Sequence, residues 1–279
     1  MIIDDVRRVA FVHIPKCGGT SVGHQFGPYD SYAGRFRRTG EHPRLGAIHY
    51  AHIPLVFLRE EFPEEFDKLA AYHAFAILRD PHIRFASAVC QRLETFGGLP
   101  PLTITADVAL AEARRMMDWL AARTRFCEFE YVHFSRQADY VRLDGREVVK
   151  NLFPLENMAA FAAAFEAASG LALDPERREN TNFVSTDGFM SKLRRFKPLY
   201  RHLTSWEMRK RILHLTQRLK LQTPTGLYDR FREDAEISAF VERYYAEDFT
   251  ILKRARERLA SEVAPAARTR ALAEAISSS

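Results

Sequence analysis

The chain has little cysteine. Cys17, Cys90 and Cys127 are the only three among 279 residues, far apart and without a C-x-x-C pair. That number and spacing argue against a disulfide framework or a zinc site and fit a reducing, cytoplasmic setting. Long apolar runs are missing too, since nothing approaches the roughly 18 to 20 residues that a membrane span requires. The start, Met1-Ile2-Ile3 followed by Asp4-Asp5, lacks the pattern of a secretory signal. No internal repeat, no zinc-finger or RNA-recognition signature and no cluster of carboxylates that would call for a catalytic metal is found.

What is present is a globular composition, 47% apolar and 28% charged. It predicts a single α/β domain over 1–260, with helical additions in the C-terminal half. The Ala-, Arg- and Ser-rich stretch 261–279 is expected to be a frayed helix or a disordered tail. A formal charge of +5 favours anionic partners. Lysine and arginine are spread along the chain, with only short clusters at 35–38 and 192–197, which suits a small anionic ligand or a polyanionic acceptor better than nucleic acid.

The most informative segment is His13-Ile14-Pro15-Lys16-Cys17-Gly18-Gly19-Thr20-Ser21, entered from an apolar strand expected over 9–14. A helix should begin in 20–25. Glycines let the backbone approach a ligand closely, and the first N–H groups of the helix are partly positive donors. Lys16 adds a full charge. In the usual nucleotide loop, G-x-x-x-x-G-K-[ST], the lysine follows the glycines, whereas Lys16 precedes Gly18 and Gly19; this disfavours ordinary ATP or GTP binding.

A second strand-to-helix unit follows. The run 73–78 reads as a buried parallel strand, and Arg79-Asp80-Pro81 leads into a helix carrying Ile83, Phe85, Ala86, Val89 and Leu93 at helical spacing. Two such units predict a central parallel sheet flanked by helices, with ligands beyond the carboxyl ends of its strands. Arg79 and Ser87 lie where a guanidinium and a hydroxyl can converge on a second phosphate, and Asp80 reads as a helix cap. The interval 29–52 reads as irregular surface. Further helices are expected at 106–123, 157–169, 205–219 and 233–259. His133 and Gln137 are spaced to share one helix face.

Together the two motifs resemble those of sulfotransferases that use 3'-phosphoadenosine 5'-phosphosulfate, above all the carbohydrate branch that includes heparan sulfate 2-O-sulfotransferases. Weaker similarity continues through His49 to Pro54, His133 to Tyr140, Leu155-Glu156-Asn157, Asn180-Thr181-Asn182 and Tyr244 to Phe249. The resemblance implies a P-loop-like sulfotransferase fold. It also implies that Lys16, Cys17, Gly18, Gly19, Thr20 and Ser21 hold the phosphosulfate and that Arg79 and Ser87 hold the 3'-phosphate. Cys17 stands where threonine is commoner. The histidine at the position of the family's base is His52, and His49 and His13 are rivals for that role.

Sulfuryl transfer needs a base for the acceptor hydroxyl and positive charge on the leaving phosphate, roles that fit His52 and Lys16, with no metal required. The acceptor expected is a hydroxyl on a carbohydrate or glycoconjugate. A nucleophilic Cys17 is disfavoured, because no His and Asp arrangement accompanies it. Two other classes remain open: a divergent ATP-dependent phosphotransferase, and a non-enzymatic module that binds polyanions.

Overall fold

The computed structural model describes residues 1–99, 104–177 and 225–277. The helix expected over 205–219, the basic cluster 192–197 and Asn180-Thr181-Asn182 lie outside the described residues.

A four-stranded sheet forms the centre. Its strands are β1 (Ile2–Asp4), β2 (Val9–Val12), β5 (His73–Leu78) and β8 (Asn151–Pro154), in the spatial order β1-β2-β5-β8. Strand β1 is antiparallel to β2, whereas β2, β5 and β8 run parallel, with Val12 opposite Ala76 and Leu78 opposite Pro154. The carboxyl ends of these three strands therefore share one edge. Every residue of β2 and all but the first of β5 are buried, as expected of parallel strands covered on both faces.

Each of the three parallel strands then feeds a turn and a helix. Strand β2 leads to α1 (Gly19–Phe26), β5 to α4 (Pro81–Thr95) and β8 to α7 (Met158–Ser169). Val22, Phe26, Phe161 and Phe165 join Phe11 and Phe75 in the main core, where the rings of Phe26 and Phe165 meet edge-on at 4.9 Å. A second core lies between α4, α5 (Ala106–Ala121), α8 (Thr225–Glu233) and α9 (Ala235–Tyr244). Phe85, Met116, Phe231 and Phe240 are buried in it. Among the described residues no helix is long and apolar enough to cross a membrane.

Some expectations need correction. The interval 29–52 is not simply irregular: it holds a two-stranded hairpin, β3 (Thr39–His42) with β4 (Gly46–His49), between short 3-10 turns. Of the hairpin's residues only Ile48 is buried, so no alternation marks it in sequence. Between the hairpin and β5 stand α2 (Leu55–Glu61) and α3 (Pro63–Ala71). The single helix expected over 233–259 is two, α9 and α10 (Ala246–Ser277), broken at Tyr245, whose hydroxyl donates to the Phe134 carbonyl at 2.8 Å. The backbone of α10 continues as helix to Ser277. His133 and Gln137 do not share a helix. His133 lies in a 3-10 turn, and Gln137 immediately precedes the four-residue helix α6 (Ala138–Val141), which is followed by a small antiparallel pair, β6 (Arg142–Leu143) and β7 (Arg146–Glu147), before β8.

Candidate active site

The turn from β2 into α1 adopts two left-handed residues, Lys16 (φ 63°) and Gly18 (φ 78°). For lysine this conformation costs roughly 1 to 2 kcal/mol, so its neighbours must hold it. Arg79, at the end of β5, does so: its Nη1 donates to the Lys16 carbonyl at 3.0 Å. The register of β2 and β5 thus joins the two motifs directly. A Cβ on Gly19 would lie 2.3 Å from Cδ2 of His13, and one on Gly18 would lie 2.7 Å from Leu155, the residue that follows β8. Both positions require glycine, one for ring packing and the other for its positive φ as well.

The head of α1 has no side-chain cap and no acidic residue in its first turn. It therefore keeps the partial positive charge of a helix start, with no carboxylate of its own first turn beside it. The Lys16 ammonium donates to Gln91 Oε1 at 2.8 Å, and Gln91 in turn donates to Thr95 at 3.1 Å. Burial lowers the Lys16 ammonium to about 8, with repulsion from Arg79 adding to the shift and Glu94 opposing it. An anion beside Lys16 and Arg79 would relieve both effects.

Ser87 and Gln91 are one turn apart on α4 and face the loop side. Ser87 is buried, and the Tyr228 side chain of α8 lies beside it. Helix α8 is fixed there by Phe231 against Phe85 and by Arg232, which pairs with Asp80 at 2.9 Å. Asp80 also caps α4, accepting from the backbone N–H groups of His82 and Ile83. That agrees with its expected role as a cap. Sequence reasoning missed Gln91 and Tyr228, because the first carries no motif and the second arrives from 141 residues beyond Ser87.

Beside the loop the structure gathers four histidines. The His52 ring stands 4.6 Å from that of His13, 4.4 Å from His49 and 5.4 Å from His133. Burial lowers all four: His13 and His52 fall well below the usual imidazole range, His49 to about 4 and His133 to about 3. They are neutral at pH 7. His52 Nδ1 lies 2.7 Å from the His13 carbonyl, which can only accept, so Nδ1 carries the proton and Nε2 keeps its lone pair. In His49 the pattern is reversed, because Nδ1 accepts from the Ala51 N–H at 3.2 Å and Nε2 therefore holds the proton.

Cys17 is buried, its thiol pushed up to about 12 by desolvation, and it donates to Gln137 Oε1 at 3.3 Å. A thiol so placed stays protonated at neutral pH and is a poor nucleophile. The Gln137 side chain also accepts from the Arg79 N–H at 2.9 Å and donates to the Arg79 carbonyl at 2.8 Å. Behind it, the Asp248 carboxylate accepts from the Gln137 and Ala138 N–H groups at 2.8 and 2.9 Å. Buried Arg84 lies 3.5 Å from Asp248 and donates to the His133 carbonyl at 3.2 Å.

No family model matches this chain, and no curated protein or solved structure matches it. The site therefore rests on its own geometry. Among the described residues no group of three or more His, Cys, Asp or Glu side chains is placed to hold a metal ion. A separate cleft of about 250 Å³, bordered by Pro54, Phe57, Arg136 and Arg142, contains none of Lys16 to Ser21, Arg79 or Ser87. Its arginines are already paired, Arg136 with Asp139 and Arg142 with Glu247, so it is the weaker candidate for a phosphate.

Proposed function

We propose that the protein is a sulfotransferase that moves the sulfuryl group of 3'-phosphoadenosine 5'-phosphosulfate to a hydroxyl on a carbohydrate or glycoconjugate. The observation that carries this reading is the Arg79 to Lys16 hydrogen bond at 3.0 Å. It puts an anion-binding helix start and a strand-end arginine side by side, with neutral histidines next to them. A donor with two separated anionic groups fits that pairing.

In this reading the loop from Lys16 to Ser21 holds the 5'-phosphosulfate, and Arg79, with Ser87 and Tyr228, takes the 3'-phosphate. The acceptor oxygen attacks sulfur in line, the bond from sulfur to the bridging phosphate oxygen breaks, and that oxygen leaves with the electron pair. Lys16 and the head of α1 offset the charge that develops there. The acceptor proton passes to a histidine, and His52 suits the role because its Nε2 carries the lone pair. The P-loop-like sulfotransferase fold belongs to the same proposal, supported by the parallel β2-β5-β8 order and the strand-turn-helix units.

The test is calorimetry with adenosine 3',5'-bisphosphate without magnesium, followed by incubation with donor labelled in its sulfate and a panel of sugars, glycolipids and phenols. Binding that Lys16→Ala and Arg79→Ala each weaken by about tenfold or more, with label appearing on a sugar, is the expected result. Absence of nucleotide binding would sink the proposal. Turnover with ATP and magnesium alone would replace it with a phosphotransferase, and salt-sensitive heparin binding without transfer would replace it with a polyanion module.

A further inference from the structure

We infer that Gln137 is a positioning residue: its side-chain amide clasps Cys17 of the first loop to Arg79 of the second and so sets the distance between the two anion sites. This inference rests on the two-anion reading of the site given above.

Three bonds make the clasp. Oε1 accepts from the Cys17 thiol and from the Arg79 N–H, and Nε2 donates to the Arg79 carbonyl, at 3.3, 2.9 and 2.8 Å. A primary amide is the neutral side chain that can make this set, since the group must accept two bonds with its oxygen and donate one from its nitrogen. A glutamate could not donate to the Arg79 carbonyl, and a methionine could do neither. Gln137 is 0% exposed, so water cannot substitute for any of the three.

The clasp is anchored from behind. Asp248 grips the Gln137 backbone through one carboxylate oxygen and the Ala138 backbone through the other, and Arg84 supplies the balancing charge. The break at Tyr245 begins a new helix, α10, whose first turn carries Asp248 into this position. Gln137 therefore connects four separate elements, and it contacts the backbones or side chains that bear the anion-binding groups without itself being one of them. The arrangement also accounts for Cys17. Its thiol is the donor that ties the loop to the amide, in a place where its protonated state is fixed by burial.

A ligand with two anionic groups gains over two single ones only when the sites stand at the matching distance. The experiment compares binding of adenosine 3',5'-bisphosphate, adenosine 5'-monophosphate and adenosine 3'-monophosphate to the full chain and to Gln137→Met. Loss of the clasp should weaken the bisphosphate by about tenfold or more while each monophosphate changes by less than about threefold. A merely structural role would lower all three together or only the melting temperature, and either outcome overturns the inference. Should Gln137→Met fail to fold, Cys17→Val and Cys17→Ser carry the test. The preference for the bisphosphate should fall in Cys17→Val and be restored by Cys17→Ser, whose hydroxyl donates the same bond; an unchanged preference in Cys17→Val overturns the inference. If the unaltered protein binds none of the three nucleotides, the sulfotransferase reading itself fails, whatever the variants do.

Discussion

Nucleotide binding should weaken as pH rises above about 8, and Lys16→Arg should remove that dependence. Burial and the neighbouring Arg79 bring the Lys16 ammonium from 10.5 to about 8, so at pH 8 about half the molecules carry a neutral lysine. A phosphate dianion placed against Lys16 favours the charged form and raises its pKa. Binding is thus pH-independent while lysine is charged in both free and bound protein. Above about 8 it requires uptake of a proton, and affinity falls by up to tenfold for each further pH unit. If the anion returned the ammonium to 10.5, the loss would reach about 3 kcal/mol at that pH.

Other groups titrate outside this window. The second ionisation of a phosphate lies near 6 and is complete by pH 8. The four histidines titrate on the acid side, and the Cys90 and Cys17 thiols at about 11 and about 12. Calorimetry with adenosine 3',5'-bisphosphate in two buffers of different ionisation enthalpy should report about half a proton taken up at pH 8, whereas near pH 6.5 Lys16 takes up almost none and the exchange that remains is proton release from the phosphates. In the free protein the contribution of Lys16 alone has a defined sign: below about 8 both folded and unfolded chains hold its proton, and between about 8 and 10.5 the folded chain has lost it first, so that contribution to stability rises with pH. The buried thiols of Cys17, Cys90 and Cys127, raised from 9.0 in the folded chain, oppose it above about 9, so the check is the difference in slope between the unaltered protein and Lys16→Arg. A flat affinity between about pH 7 and 9, or the same slope in Lys16→Arg, would refute the account of a desolvated lysine facing the anion.

Gly19→Ala should cost about 1 to 3 kcal/mol in urea unfolding and weaken nucleotide binding, because the new methyl group meets the His13 ring at 2.3 Å. Gly23→Ala in the same helix meets nothing within 4 Å and should instead stabilise by about 0.5 to 1 kcal/mol; equal effects at the two positions would contradict the packing described. His52→Gln should lower turnover by about 10² to 10⁴ while bisphosphate affinity stays within about threefold. Turnover near that of the unaltered protein would move the base to His13 or His49. Cys17 should resist alkylation at pH 8 in the native protein and react only on unfolding, as read by peptide mass; rapid native labelling would show that its thiol is neither buried nor held by Gln137.

The parts of the fold legible in the sequence are those whose signal is local. Strand β5 has the expected bounds, 73–78, because a run of six residues with a buried apolar stretch ends at a capping Asp80 and a Pro81 that starts α4. Helix α5 begins at the expected Ala106 under a Thr105 cap. Strands β1 and β8, of three and four residues, carry no such pattern and exist through pairing with β2 and β5. Among the site residues, Arg79 meets Lys16 on the loop that carries Gly18 and Gly19. The roles of Gln91, Tyr228 and Asp248 do not show in any local pattern, since each depends on a contact with a distant segment. The expected pairing of His133 with Gln137 failed for an instructive reason. Four residues apart they would face the same way on an α-helix, but the chain leaves its 3-10 turn at Ser135, in extended geometry, so His133 faces His52 while Gln137 faces Cys17.

The position of the lysine before the glycines acquires a physical meaning from this geometry. Left-handed backbone at Lys16 directs its carbonyl to Arg79 while its side chain reaches Gln91 on α4, so the ammonium lies between the helix start of the first motif and the α4 face that bears Ser87. A lysine placed after the glycines would instead be part of α1 and move with it. Here the charge is held by two elements that are themselves joined through Gln137, and its lowered pKa follows first from burial and then from the neighbouring Arg79, before any anion arrives. The histidines complete the arrangement. Cations, a helix start and uncharged imidazoles meet at one loop, and the proposed transfer would use the first two on the departing anion and an imidazole on the acceptor proton.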